Sequence, residues 1–354
     1  MRKKVLVAMS GGVDSSVAAF LLAEAGYDVT GVTMCLGIAE NGGSLRCCGK
    51  EAIDDAREVC CHLGIAHHVM DFADDLRGRV IDKFISEYRR GRTPNPCIDC
   101  NRYLKFGRLL ATARAMGFEY LATGHYAAIK ENGSGFTLVK AKDSMKDQTY
   151  FLYPIGRDDL AHILFPLGKY TKAEVRSIAD GAGLPVAHKA ESQDICFVAD
   201  GGYGRFISEM TGSADPGPVV DMDGREVGRH RGIIFYTIGQ RRGLEISARE
   251  PLYVVSIDVE NNLIVVGGRE NVTASALIAG DFNALVDEMP GTGEAKIRHR
   301  KKASPCAISP EGKSVRVEFF EPQEAITPGQ AVVLYRGDEV LGGGIIDEVV
   351  HGTC

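Results

Sequence analysis

Val5-Leu6-Val7-Ala8-Met9-Ser10-Gly11-Gly12-Val13-Asp14-Ser15-Ser16 is the stretch on which the fold reading turns. A short apolar run breaks at a polar glycine turn, and Ser15 to Ala25 then reads as a helix closed by Gly26. Strand, glycine turn and helix in immediate succession make an anion site. Glycine permits positive φ and lets an anion approach the backbone, while the helix start turns N–H groups and a partial positive charge toward it. Ser10, Ser15 and Ser16 add hydroxyl donors. Asp14 beside a phosphate needs a magnesium ion or the helix start to offset its charge. A lone Gly-Gly pair would read as a turn with an Asp/Ser helix cap, but the longer Ser10–Ser16 run in this context favours a nucleotide loop. No Gly-Lys-Ser/Thr follows, which excludes a P-loop kinase.

The pattern continues outward from the loop. Asp28 to Met34 and His67 to Phe72 read as strands, and Glu51 to Leu63 as a helix. Further helices run from about Asp74 to Arg90 and from Arg102 to Met116, followed by a strand at Tyr120 to Thr123. Strands alternating with helices predict an α/β fold, Rossmann-like, with a parallel sheet covered by helices on both faces. Ligands of such sheets bind beyond the carboxyl ends of the strands. Ser10-Gly11-Gly12 and Gly124-His125 both follow strands, so they should share one crevice. After about residue 205, short β-branched runs separated by Gly, Pro, Asp and Asn predict small β-barrel-like domains. The expected division is residues 1–205 for the α/β domain with an inserted helical region, 206–275 for a central β domain, and 276–354 for a C-terminal β-barrel.

Bulk composition narrows the class. With 354 residues, 45% hydrophobic and 25% charged, the chain is long enough for two or three domains, each with its own core. No apolar run approaches the ~20 residues of a membrane span, and the apolar start is too short for a signal peptide. Ten cysteines lie scattered without the spacing of a secreted disulfide scaffold, which suggests a reducing cytoplasm. The net charge of −6 announces no nucleic-acid partner, so any RNA site must be local. Lys296-Ile297-Arg298-His299-Arg300-Lys301-Lys302 is the densest basic cluster. In a strand, Lys296, Arg298, Arg300 and Lys302 would share one face, spaced to track phosphates. The bland alternative is a solvated charged face.

Thr93-Pro94-Asn95-Pro96-Cys97-Ile98-Asp99-Cys100-Asn101 presents two cysteines just before a helix, where the helix dipole should lower a thiol pKa. Cys-x-x-Cys also occurs as half of a metal knuckle, but no second half is present. Cys47-Cys48 and Cys60-Cys61 are poorly spaced for one metal. Cys196, between Ile195 and Phe197, would by itself be a buried core thiol.

Together these segments resemble the bacterial tRNA-specific 2-thiouridylase family, within the N-type ATP pyrophosphatases. The resemblance rests on SGGVDSS at Ser10–Ser16, NPCIDCN at Asn95–Asn101, Gly124-His125-Tyr126-Ala127, Met145 to Leu152, SQDICF at Ser192–Phe197, Tyr236 to Leu244, Thr327-Pro328-Gly329-Gln330 and Leu341 to Gly344. It implies ATP cleavage to AMP and pyrophosphate, with magnesium, and a uridine carbonyl activated as an adenylate. ATP contacts carry over to Ala8, Met9, Ser10, Gly11, Gly12, Val13, Asp14 and Ser15, with Met34 and Gly124 on the adenine side. Cys196 matches the family cysteine that carries a persulfide delivered by a sulfur-relay protein. Cys100 matches the thiol that resolves it, leaving a Cys100–Cys196 disulfide. Asn95, Pro96 and Cys97 fall where the family holds a flipped base. His125, Lys146, Asp147, Gln148, Arg298, His299, Arg300 and Gln330 are the implied tRNA contacts, and the wobble uridine of the Glu, Gln and Lys tRNAs is the implied target. Ala128 departs from a frequent family Arg, and Cys97 stands where one branch has Asp. Cys97, Cys100 and Cys196 equally offer three thiolates for an iron–sulfur cluster. The relay is preferred, because Cys97 need not be a thiol in that branch.

Overall fold

The computed structural model describes residues 2–37, 49–133, 135–190, 195–198, 202–212 and 215–351. The chain divides into two compact units. The first comprises Met1–Val80, Cys97–Phe197 and Asp338–Val340; the second comprises Ile81–Pro96, Val198–Gly337 and Leu341–Cys354.

In chain order, the first unit holds β1 (Lys4–Ala8), β2 (Asp28–Cys35), β3 (Ala66–Asp71), β4 (Tyr120–Thr123), the hairpin of β5 (Ala128–Asn132) and β6 (Gly135–Val139), and the short β7 (Ile163–Leu164). Five of these form a parallel sheet in the order β3-β2-β1-β4-β7. Val5, Leu6 and Val7 are wholly buried, as expected of a central strand covered on both faces. Helix α1 (Val13–Glu24) packs Val17, Ala18 and Leu22 into the core with Val5 and Val7. Each such fully buried Val or Leu contributes about 1.5–3 kcal/mol. The chain leaves β1 toward β2 and β3, then crosses to β4. The ligand-binding switch point of the sheet therefore lies beyond the ends of β1 and β4. The α/β expectation holds.

Two predicted helices differ in detail. The segment from Asp74 is a short helix at Ala73–Asp75, a π-helical stretch at Leu76–Ile81 and an α-helix at Asp82–Arg89. The cysteine segment does not precede its helix. The helical run begins as α-helix at Pro96–Asp99, becomes π-helix at Cys100–Leu109 and returns to α-helix at Leu110–Ala115.

The second unit is largely β. The strands β8 (Gly217–Val220), β9 (Glu226–His230), β10 (Tyr253–Asp258) and β11 (Leu263–Gly267) form a sheet in the order β10-β11-β8-β9. Six more, β12 (Thr273–Ala284), β13 (Thr292–Lys296), β14 (Ser304–Glu311), β15 (Ser314–Glu324), β16 (Ala331–Arg336) and β17 (Glu339–Val350), form an antiparallel barrel closed by β12 against β17. Closure leaves no free sheet edge. The basic cluster is not the strand expected of it. β13 ends at Lys296, and Lys301 N–H bonds back to Arg298 O at 3.1 Å, so the chain turns and strand alternation stops. Among the described residues, no helix is long and apolar enough to cross a membrane.

Candidate active site

The nucleotide loop is built from the backbone outward. Gly11 adopts φ +69°, and a Cβ there would lie 2.4 Å from Ala52 O, so only glycine fits. Ser10 N–H donates to Ser15 Oγ at 3.1 Å, and the two hydroxyls lie 3.2 Å apart. Ser15 and Ser16 hydroxyls both reach Gly12 O, at 3.1 and 2.9 Å. Gly12 is the N-cap of α1 and no side chain caps the helix, which removes the Asp/Ser-cap reading. The first N–H groups of α1 are left to an anion. Gly124 closes the other side: a Cβ on it would sit 2.7 Å from Asp14 C and Ser15 N. Loop and Gly124 thus share one crevice, as the strand pattern predicts. Met34 is half-buried toward the carboxyl end of β2, beside β1.

Asp14 has a resolution that sequence reading missed. Its Oδ1 accepts from Lys172 Nζ at 2.7 Å and from the Tyr126 hydroxyl at 2.8 Å. Lys172 opens the helix Lys172–Gly181, whose start is fixed by a Thr171/Glu174 capping box. The capping signature was readable in the sequence. That its first residue faces a carboxylate far back in the chain was not. Asp14 also offers a hard oxygen beside the phosphate loop, a donor that suits magnesium completed by phosphate and water.

The second cluster joins three cysteines. Solvent reaches Cys97 and Cys196, and Cys100 is half-buried. Enough protein surrounds each sulfur, however, that burial is the main influence on all three. It raises the Cys97 and Cys100 thiols and pushes Cys196 up to about 12. Cys196 also feels Cys100 and Cys97, so folding has brought together thiols far apart in sequence. The expected dipole-lowered pKa is overturned: desolvation outweighs the helix start. The expectation of Cys196 as a shielded core thiol also fails, since the side chain is exposed while Phe197 is buried.

Lys105 opposes the rise at all three sulfurs. Its Nζ lies 3.5 Å from His125 Nε2, and His125 Nδ1 lies 2.7 Å from Thr123 Oγ1. Burial first, then Lys105, holds His125 well below its ordinary pKa, so the ring is neutral. Among the described residues, no group of three Cys, His, Asp or Glu side chains is arranged to hold a metal ion. The described structure joins no Cys100–Cys196 disulfide, since both are free thiols, whereas Cys35 is disulfide-bonded. Cys60 is buried in the helix Lys50–His62 and Cys61 exposed on it, while Cys47, Cys48 and Ser192 to Asp194 lie outside the described residues.

The residues implied for tRNA are placed unevenly. Asp147 is buried, accepting from Ala141 N–H at 3.1 Å and Thr149 Oγ1 at 2.7 Å. Gln148 exchanges two 2.9 Å bonds with the Tyr126 backbone, N–H to O and N–H to Oε1. Both side chains therefore brace the Gly124–Ala127 turn and its neighbours, and Lys146 beside them is half-buried. In the second unit, Gln330 Nε2 donates to Thr93 O at 2.7 Å, and Thr93 N–H to Pro328 O at 2.9 Å. That clasp holds the chain just before Asn95, half-buried, and Pro96, buried. Arg298 Nη2 donates to the carbonyls of Glu324 and Ala325, His299 is half-buried, and Arg300 is exposed.

Comparison with known proteins covers nearly the whole chain. Residues 3–200 match the family described as tRNA methyl transferase HUP domain, 204–268 the tRNA methyl transferase PRC-barrel domain, and 274–346 the aminomethyltransferase beta-barrel domain. Over 351 residues the chain is 61% identical to tRNA-specific 2-thiouridylase MnmA 1 of Syntrophus aciditrophicus, covering 99% of this chain and 94% of that one. It is 51% identical over 357 residues to the protein of the same name in Pelotomaculum thermopropionicum, covering 98% of each. The Moorella thermoacetica protein is 50% identical over 357 residues, covering 98% of this chain and all of the other.

Proposed function

The chain belongs to the tRNA-specific 2-thiouridylase family, enzymes that use ATP to thiolate uridine in tRNA, and from that premise we propose its target and its sulfur path. The target is the wobble uridine of the Glu, Gln and Lys tRNAs. Sulfur reaches it through a persulfide on Cys196, loaded by a persulfide-carrying relay protein. The observation that carries the path is the grouping of Cys100 with Cys196 in one electrostatic cluster.

The chemistry runs in two stages. The uridine O2 attacks the α-phosphorus of ATP, pyrophosphate leaves, and the oxygen becomes part of an adenylate. The helix start and loop amides meet the phosphates, and Lys172 offsets Asp14 beside them. Magnesium, held through Asp14, would neutralise charge on the leaving pyrophosphate. The terminal sulfur of the Cys196 persulfide then attacks C2. Cys100 thiolate attacks Cys196 Sγ, forming the Cys100–Cys196 bond. The bond from Cys196 to the transferred sulfur breaks with its electron pair on that sulfur, and AMP leaves. An external thiol reductant supplies two electrons to reset the disulfide. A tRNA substrate and a relay that must be re-reduced both suit a reducing cytoplasm.

The test incubates tRNA with enzyme, α-labelled ATP and a persulfide donor, then identifies nucleosides by mass spectrometry. Expected products are 2-thiouridine at the wobble position, AMP and pyrophosphate. ADP as the main product would overturn the nucleotide reading. Full activity of Cys196→Ser would favour a ligase of the same superfamily that needs no thiol.

A further inference from the structure

We propose that Lys105 is the positioning charge of the thiol relay, holding the thiolate form of Cys100 for its attack on the Cys196 persulfide. The proposal deepens the relay reading and rests on it.

In an α-helix, a residue five ahead points about 140° away from the first. A π-helix closes its hydrogen bonds i→i+5, so the residue five ahead returns over the first. Cys100 and Lys105 are five apart, and the stretch Cys100–Leu109 is π-helical. Gly107 belongs to the same geometry. A Cβ there would lie 2.8 Å from Arg102 O, the carbonyl five residues back, so a larger residue would press on the π turn that carries Lys105.

Lys105 is also set apart by its surroundings. Among the described residues it enters no ion pair, although its side chain is half-buried. Among the described residues its polar neighbour is His125 Nε2, and that ring is fixed by Thr123 and by the rings of Phe106 and Phe165, each 6.0 Å away. A neutral imidazole does not quench the ammonium. A half-buried cation without an ion-pair partner is costly unless an anion uses it; besides His125, Lys105 acts on all three thiols, and at Cys100 the charge of Asp99 works against it. Attack on the persulfide requires Cys100 to lose its proton to solvent. The Lys105 side chain stabilises the anion left behind.

The test uses site-resolved alkylation of the purified full chain. In the wild type, anionic iodoacetate and neutral iodoacetamide are compared at Cys100 and at exposed Cys61, outside the cluster. A nearby ammonium should raise the iodoacetate-to-iodoacetamide ratio at Cys100 above that at Cys61. Lys105→Met should slow Cys100 alkylation about tenfold, the change in thiolate for one pKa unit, with Cys61 unaffected and Lys105→Arg restoring the rate. Equal reagent ratios at the two cysteines in the wild type would overturn the proposal without any variant. Unchanged Cys100 alkylation in a folded Lys105→Met would do the same. Thiolation by Cys100→Ser is measured alongside: if it persists, the relay itself fails, a result separate from the alkylation outcomes.

Discussion

The nucleotide loop and the thiol cluster belong to one compact unit but are made differently. The loop runs from Ser10 to Ser16, and its hydroxyls bond within that span, to one another and to Gly12 O. Its shape is local, with Gly11 and Gly124 admitting close backbone approach. The thiol cluster has almost no local logic. Cys97, Cys100 and Lys105 share a helical run, but Cys196 and His125 arrive from other parts of the chain, and burial rather than the helix dipole sets the sulfurs' acidity. The comparison teaches that anion binding can be encoded in a short stretch, because backbone amides do the work. Thiol reactivity depends on desolvation and on charges that only folding assembles.

The largest effect expected from this difference is a clean separation of the two stages. Cys100→Ser and Cys196→Ser should each reduce thiolation to background while leaving tRNA-dependent exchange of labelled pyrophosphate into ATP intact. Loss of exchange in both variants would break the division. Gly124→Ala attacks the other region. Its new methyl meets Asp14 and Ser15 backbone at 2.7 Å, and overpacking of about 1–3 kcal/mol should weaken ATP binding about ten- to a hundredfold. Isothermal titration calorimetry measures it, and the three thiols' alkylation rates should stay as they are.

pH separates the regions more gently. The Cys100 thiol is raised above its ordinary value of 9.0, so it is protonated at neutral pH and gains thiolate as pH rises. Single-turnover sulfur transfer should therefore climb about tenfold per pH unit from neutrality to that value, while ATP affinity changes little. A plateau below pH 8 would show a thiol lowered rather than raised, by about a unit relative to its ordinary value. The smallest effects should fall outside both regions, in the barrel. Arg300→Glu with Lys302→Glu should lower the salt-dependence slope of tRNA binding by about one per lost phosphate contact, read by filter binding at several salt concentrations. Arg298→Glu should differ in kind. Because its guanidinium donates to the carbonyls of Glu324 and Ala325, the loss should appear first as a lower melting temperature.

Much of the molecule was legible before folding. Apolar strand-like runs alternating with helix-like segments yielded the parallel sheet, and the glycine turn after β1 marked one side of the crevice shared with Gly124. The errors share a cause. The Lys296–Lys302 run carries strand-like alternation, but the chain turns after Lys296, and tertiary bonds to Glu324 and Ala325 claim Arg298. Cys97 and Cys100 stand at a helix start, yet surrounding protein raises their pKa. Asp147, Gln148 and Gln330 show a further role that the sequence did not disclose, since each has hydrogen bonds that brace a neighbouring segment.

By itself, the sequence determined the α/β sheet, the glycine turn after β1 and the choice of candidate site residues. Backbone conformation and hydrophobic period depend on residues within a few positions of one another. Tertiary structure alone decided that Lys172 and Tyr126 answer Asp14, that Cys196 meets Cys100, and that a π-helical register brings Lys105 round to the sulfurs. Charge, desolvation and side-chain hydrogen bonding act through space, and the distances that govern them exist only once remote segments have packed.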